Sequence, residues 1–209
     1  MDEPKSGGKV APQKFHPAMN SGGEAKTSLE FSQGKSPRGY DLIIVSSDSE
    51  FSSGTLFEHV LGALQYKETL RQIINGKGFR VAVGYLSSKK SFSLARVVSI
   101  SDSTSVSNSQ TLKYNLINLL EEIKYPSREL TSVLGNQVNR IWIPLLGTGS
   151  ARLTNAESAQ IIQEALQVTL LQENYDGPIT ELTIDAPTSL NDTELTTVRK
   201  VFMLSLIHI

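Results

Sequence analysis

Residues 147–150, Gly-Thr-Gly-Ser, follow an apolar run at 139–146 and precede a helical pattern over 156–171. The chemistry this arrangement suits is anion binding. Two glycines let a backbone approach a ligand closely and turn its N–H groups inward. Thr148 and Ser150 add hydroxyl donors, and Arg152 could supply a positive charge. A helix beginning just beyond the loop turns the positive end of its dipole toward the same place. In an open α/β sheet, ligands collect at the carboxyl ends of the strands, and this loop sits at such an end. The plainer alternative is a tight strand-to-helix turn. The run lacks the Gly-Lys-Ser/Thr ending of a Walker loop and the glycine spacing of a dinucleotide fingerprint.

A second polar loop, 48–55, follows the run "YDLIIVSS" and contains Gly54. Asp48 and Glu50 could orient a water there, or simply cap the turn and the helix. Phe51 and Phe57 flank the loop and could stack on a base or close the core. His59 lies on the following helix, where a surface or half-buried position is expected; His16 and His208 fall near the termini. With no histidine cluster and no HExxH, no metal site is expected. Without G-x-S-x-G, a serine hydrolase lacks its elbow. Asp185, in Asp-Ala-Pro at the end of a strand, reads as a turn residue, and Trp142 and Ile143 read as core.

The elements that must position these loops are legible in outline. The chain has 209 residues, 39% hydrophobic and 20% charged, enough for one packed domain. Its net charge of −1 and pI near 6.3 argue against a non-specific nucleic-acid binder. Cysteine is absent, which excludes disulfides and thiolate sites and points to a cytoplasmic protein. No run is apolar enough to suggest a membrane span.

Residues 1–26 read as a tail or linker. Strands are expected at 27–31 (edge-like), 40–47, 79–86, 96–101, 139–146 and 177–187. Helices are expected from Leu56 to Ile74, ended by "NGKG", over 112–123 with a resumption at 127–135, over 156–171, and over 189–202, capped by Ser189 or Asn191. This alternation predicts an α/β class with a mostly parallel sheet. The last six residues, 204–209 ("LSLIHI"), match the in-frame translation of a common sequencing adapter, so a truncated reading frame is expected there and the segment is set apart from fold reasoning.

The stretch "IWIPLLGTGSARLTNAESAQIIQEAL" resembles macro domains, the ADP-ribose-binding α/β/α modules. Pro144, Gly147, Thr148, Gly149 and Ala159 match that family's strand, phosphate loop and helix. "YDLIIVSSDSEFSSGTL" is similar to its earlier strand and loop, and the order of elements over 27–203 agrees. The resemblance implies a three-layer α/β/α fold with a mixed, mostly parallel sheet. It also implies a diphosphate held between two loops. One comprises Ser46, Ser47, Asp48, Ser49, Ser53, Gly54 and Thr55. The other comprises Leu146, Gly147, Thr148, Gly149, Ser150, Ala151 and Arg152.

Departures from the family shape the functional expectation. Ser46-Ser47-Asp48-Ser49 stands where family members that remove ADP-ribose carry Asn-x-Ala-Asn. The family's acidic adenine contact has no counterpart in "EFSQGKS", leaving Asp41 or Asp48 as substitutes. The aromatic after the second loop is replaced by Ala151, Arg152 and Leu153. The resemblance therefore implies a module that binds or senses ADP-ribose or a related NAD-derived nucleotide, without a resident cofactor, and the expected truncation leaves room for a fused effector domain beyond the C-terminus. The alternatives are an ADP-ribosyl or phosphoester hydrolase using Asp48, and a macro-fold interaction module that binds no ligand.

Overall fold

The computed structural model describes residues 13–15, 27–52, 54–64, 72–85, 91–134 and 138–205. Among these, eight strands form one sheet: β1 (Gln13–Phe15), β2 (Ser28–Gln33), β3 (Leu42–Ser47), β4 (Gln72–Gly76), β5 (Phe79–Tyr85), β6 (Ser91–Val98), β7 (Arg140–Pro144) and β8 (Glu181–Ala186). Their order is β1-β2-β8-β7-β3-β6-β5-β4. The neighbours from β2 to β6 run parallel, while β1 and the β4–β5 hairpin add antiparallel edges. The five helices are α1 (Thr55–Leu64), α2 (Asn108–Lys124), α3 (Arg128–Leu134), α4 (Asn155–Val168) and α5 (Asp192–Ser205).

The central strands read as continuous apolar runs because both of their faces are covered. Leu42 and Ile44 of β3 point into a large core with the apolar faces of α2, α4 and α5. Ile43 and Val45 point the other way, with Trp142, into a smaller core beneath Phe57, Val60 and Leu64 of α1. This is the expected three-layer α/β/α arrangement, with a sheet parallel at its centre and mixed overall.

Three local expectations change. Of the helix expected from Leu56 to Ile74, α1 covers Leu56 to Leu64, residues 65–71 lie outside the described residues, and Gln72–Gly76 is a strand. "NGKG" is a hairpin turn, with Gly78 at φ 77° and Ile74 paired to Val81. Isoleucines at 73 and 74 suit a strand as well as a helix, and a short apolar run cannot separate the two. Between the strands expected at 79–86 and 96–101, residues 91–95 already belong to β6 (Ser91–Val98), and 86–90 lie outside the described residues. Finally, β2 is not an edge strand, because residues 13–15, within the segment read as a tail, pair antiparallel beside it. The remainder of 1–26, and 206–209 of the terminal segment, lie outside the described residues. No helix among the described residues is long and apolar enough to cross a membrane.

Candidate functional site

Parallel strands bring their carboxyl ends to one edge of the sheet. There β3 ends in Ser46 and Ser47, and the loop 48–54 leads into α1. Next to it β7 ends at Pro144, and the loop 145–154 leads into α4. One bond ties the loops together: the Gly147 N–H donates to the Ser46 hydroxyl at 3.1 Å. The loops expected to act together are therefore adjacent.

The first loop is organised by Asp48. Its carboxylate accepts the Ser52 N–H at 2.9 Å, and the Phe51 N–H reaches the Asp48 carbonyl at 3.2 Å. The Ser52 backbone bond, above all, holds the Asp48 carboxyl below the usual aspartate range. An ionised carboxylate used to shape a turn is a poor base, so the turn-capping role fits Asp48 better than proton transfer. Ser47 is braced instead by Ser99, whose N–H and hydroxyl both donate to the Ser47 carbonyl. Ser49 and Glu50 lie in the exposed turn, and Thr55 opens α1. Ser53 lies outside the described residues.

In the second loop, Leu146, Gly147 and Ala151 are buried, while Thr148, Gly149, Ser150 and Arg152 are exposed. Gly147 has φ 73°, which favours glycine, and a Cβ there would lie 2.8 Å from Leu153 Cδ1, so that side chain would have to shift. Gly54 and Gly149 differ. Neither has a positive φ, and a Cβ on either would meet nothing within 4 Å. Neither φ nor packing gives a reason for glycine at either position, although the Gly54 carbonyl accepts the Glu58 N–H as the N-cap of α1, where glycine is favoured, and Gly149 lies exposed in the second loop. (Gly62, on the exposed side of α1, shares that freedom without lying in a loop.) The Asn108 side chain braces the loop by donating to the Ala151 carbonyl at 3.0 Å.

The N-terminus of α4 departs from expectation. Thr154 is its N-cap in a full capping box: its hydroxyl accepts the Glu157 N–H, and Glu157 accepts the Thr154 N–H at 2.8 Å. A carboxylate already occupies the positive end of this helix. Any anion at this loop is held by the loop's own N–H and hydroxyl groups more than by the α4 dipole.

Other residues singled out from sequence are placed elsewhere. Asp41 precedes β3, at its amino end, where its carboxylate accepts the Asn139 and Arg140 N–H groups at 2.9 and 2.8 Å. It therefore cannot replace an acidic contact at the carboxyl edge. Asp185, expected in a turn, is a buried residue of β8 at that edge. Its carboxylate accepts the Ser32 hydroxyl and the Lys35 N–H, each at 2.8 Å, and burial pushes its pKa up to about 6. Phe51 and Phe57 are engaged by arginines: Arg80 lies 4.4 Å from the Phe51 ring centre, and Arg96 4.8 Å from that of Phe57. His59 is exposed. Sequence reasoning passed over these arginines, although a charged residue inside the apolar strand "SLARVV" was a signal. Among the described residues, no group of three His, Cys, Asp or Glu is placed to hold a metal ion.

This strand order, with two loops meeting at the carboxyl edge between β3 and β7, is the macrodomain fold. Solved structures of the Oceanobacillus iheyensis macrodomain share it. The structure with MES bound is 15% identical, covers 95% of this chain and 100% of that chain, and has a TM-score of 0.57. The structure with ADP is 14% identical, covers 96% and 100%, and has a TM-score of 0.56. A point mutant with ADPR is 13% identical, covers 95% and 100%, and has a TM-score of 0.53. No protein-family model matches the chain, and no curated protein matches it. At such low identity, the likeness is one of fold.

Proposed function

We propose that this protein binds ADP-ribose or a related NAD-derived nucleotide at the carboxyl edge of its sheet, as a binding or sensing module. The observation that carries this reading is the pair Gly54 and Gly149. Both are exposed in adjacent loops where neither φ nor packing calls for glycine, Gly54 at the N-cap of α1 and Gly149 within the second loop. The bond from Gly147 to Ser46 holds the loops in one unit. In the proposed complex the diphosphate lies between Gly54-Thr55 and Gly147 to Ser150, bound by backbone N–H and hydroxyl groups. Ser46 to Ser49 lie toward the distal sugar. The Oceanobacillus macrodomain, which has this fold, has been solved with ADP and with ADPR; that supports the ligand class.

The hydrolase alternative rests on Asp48, whose carboxylate accepts the Ser52 N–H and is held below the usual aspartate range, which weakens it as a base. Titration calorimetry with ADP-ribose, ADP and NAD tests the reading. Saturable binding is expected, and Gly149→Glu should abolish it by filling the open loop tip. Absence of heat with all three ligands would exclude the proposal and favour a macro-fold interaction module.

A further inference from the structure

The face of the sheet beneath α1 carries a feature that nucleotide binding at the loops does not use. Arg80 of β5 and Arg96 of β6 are direct partners in the antiparallel register. Like charges placed opposite one another across two strands are unfavourable. Both guanidinium groups nevertheless converge on the same ring, at 4.4 Å (Arg80) and 6.0 Å (Arg96) from the centre of Phe51. Arg96 is only 9% exposed, and it also stacks on Phe57.

Among the described residues, the two arginines meet aromatic rings and neutral oxygen acceptors instead of carboxylates. Among the described residues neither arginine forms an ion pair. Each guanidinium has five N–H donors in a fixed fork. Arg80 uses its Nε on the Asn75 side chain at 2.7 Å, and Arg96 donates to the Phe51 carbonyl. Burial and then the Arg80 charge hold the Arg96 guanidinium below the ordinary arginine range, while Asp48 pulls the other way. Asp48 already serves the loop backbone and bonds to neither arginine. Phe51 itself has φ 58°, rare for a bulky residue. It is held there by the Arg96 bond to its carbonyl and by the two guanidinium groups near its ring.

We infer that Arg80 and Arg96, with Phe51 as their spacer, form an anion site for a phosphomonoester, either free phosphate or the terminal phosphate of a larger ligand. Two forked guanidinium groups match the several oxygens of a phosphate dianion far better than they match each other. The half-exposed Arg80 offers the entry side, and the buried Arg96 supplies donors in a low-dielectric setting, where they act more strongly. The site adjoins the first loop, since Phe51 stands three residues before Gly54 and Phe57 lies in the first turn of α1. A nucleotide in the loops could therefore extend a terminal phosphate toward it. The site itself does not depend on that nucleotide.

The test compares the wild type, Arg80→Gln and Gly149→Glu by thermal denaturation in inorganic phosphate against chloride at matched ionic strength. Saturating phosphate is expected to raise the midpoint of the wild type and Gly149→Glu by about 3 °C, and that of Arg80→Gln by much less. No rise in the wild type overturns the inference. So does an equal rise in Arg80→Gln, or a rise lost in Gly149→Glu, which would place the phosphate in the loops. Calorimetry with ADP-ribose and with ADP-ribose bearing a terminal phosphate separates the sources. At least tenfold tighter binding of the phosphorylated form, abolished by Arg80→Gln, assigns the site to a ligand terminus; equal affinities leave free phosphate as its ligand. If neither nucleotide binds while the phosphate response persists, the nucleotide reading fails and the anion site stands.

Discussion

The Ser46 hydroxyl accepts the Gly147 N–H at 3.1 Å, linking the end of β3 to the loop after β7 across 101 positions of chain. Gly147 is buried, so this N–H has no easy recourse to water. Ser46→Ala removes the acceptor and is expected to cost about 1–2 kcal/mol, the penalty for a buried unpaired donor. Because the same bond holds the two loops in register, ADP-ribose affinity should fall on the order of tenfold. Denaturant unfolding and titration calorimetry on one variant read both effects.

The glycines of the second loop should separate folding from binding. Gly147→Ala places a Cβ at φ 73° and 2.8 Å from Leu153 Cδ1, so a loss of roughly 1–3 kcal/mol is expected. Gly149→Ala meets nothing within 4 Å and should stay within about 0.5 kcal/mol of the wild type. If Gly149→Ala proved as destabilising as Gly147→Ala, the open backbone at this loop tip would be wrong.

Asp185 should give a pH signature of definite sign. Its folded pKa, about 6, lies above the ordinary aspartate value because burial opposes ionisation. The folded state therefore holds the proton more tightly than the unfolded chain. The associated stability is fully present below about pH 4 and is lost as pH rises through about 6. Asp185→Asn can still accept from Ser32 and Lys35 while removing the charge. It should raise stability by roughly 1–3 kcal/mol at pH 7.5 and much less at pH 4.5. Melting curves at the two pH values decide it, and a larger gain at the lower pH would contradict the burial argument.

The capping box at α4 predicts a local effect. Thr154→Ala removes the acceptor for the Glu157 N–H and a donor to the Glu157 carboxylate. The expected cost is about 1 kcal/mol. Amide exchange should quicken in the first turn of α4 before it does in α2, since the cap acts only on its own helix end.

How far the sequence alone reached depended on the range of each interaction. Strands β3 and β7 were legible because a strand covered on both faces must be apolar throughout. Helices α2, α4 and α5 were legible because one apolar stripe repeats every three or four residues. Each signal lies within a window of some ten positions, as do the glycine loops beside them. From these followed the α/β class, the parallel centre of the sheet and both candidate loops.

Other features have no local signal. Residues 72–74 suit either helix or strand, and only pairing with β5 made them β4. Asp41 and Asp48 are seven positions apart, but strand direction sends one to the amino end of β3 and the other to the carboxyl end. Arg80 and Arg96 face each other only because β5 and β6 form a hairpin in that register. The sequence by itself determined which segments bury and where the backbone must turn freely, because propensity and periodicity are short-range. Only the tertiary structure decided which loop ends meet and which charges share a space, because those depend on strand order and register across a hundred residues.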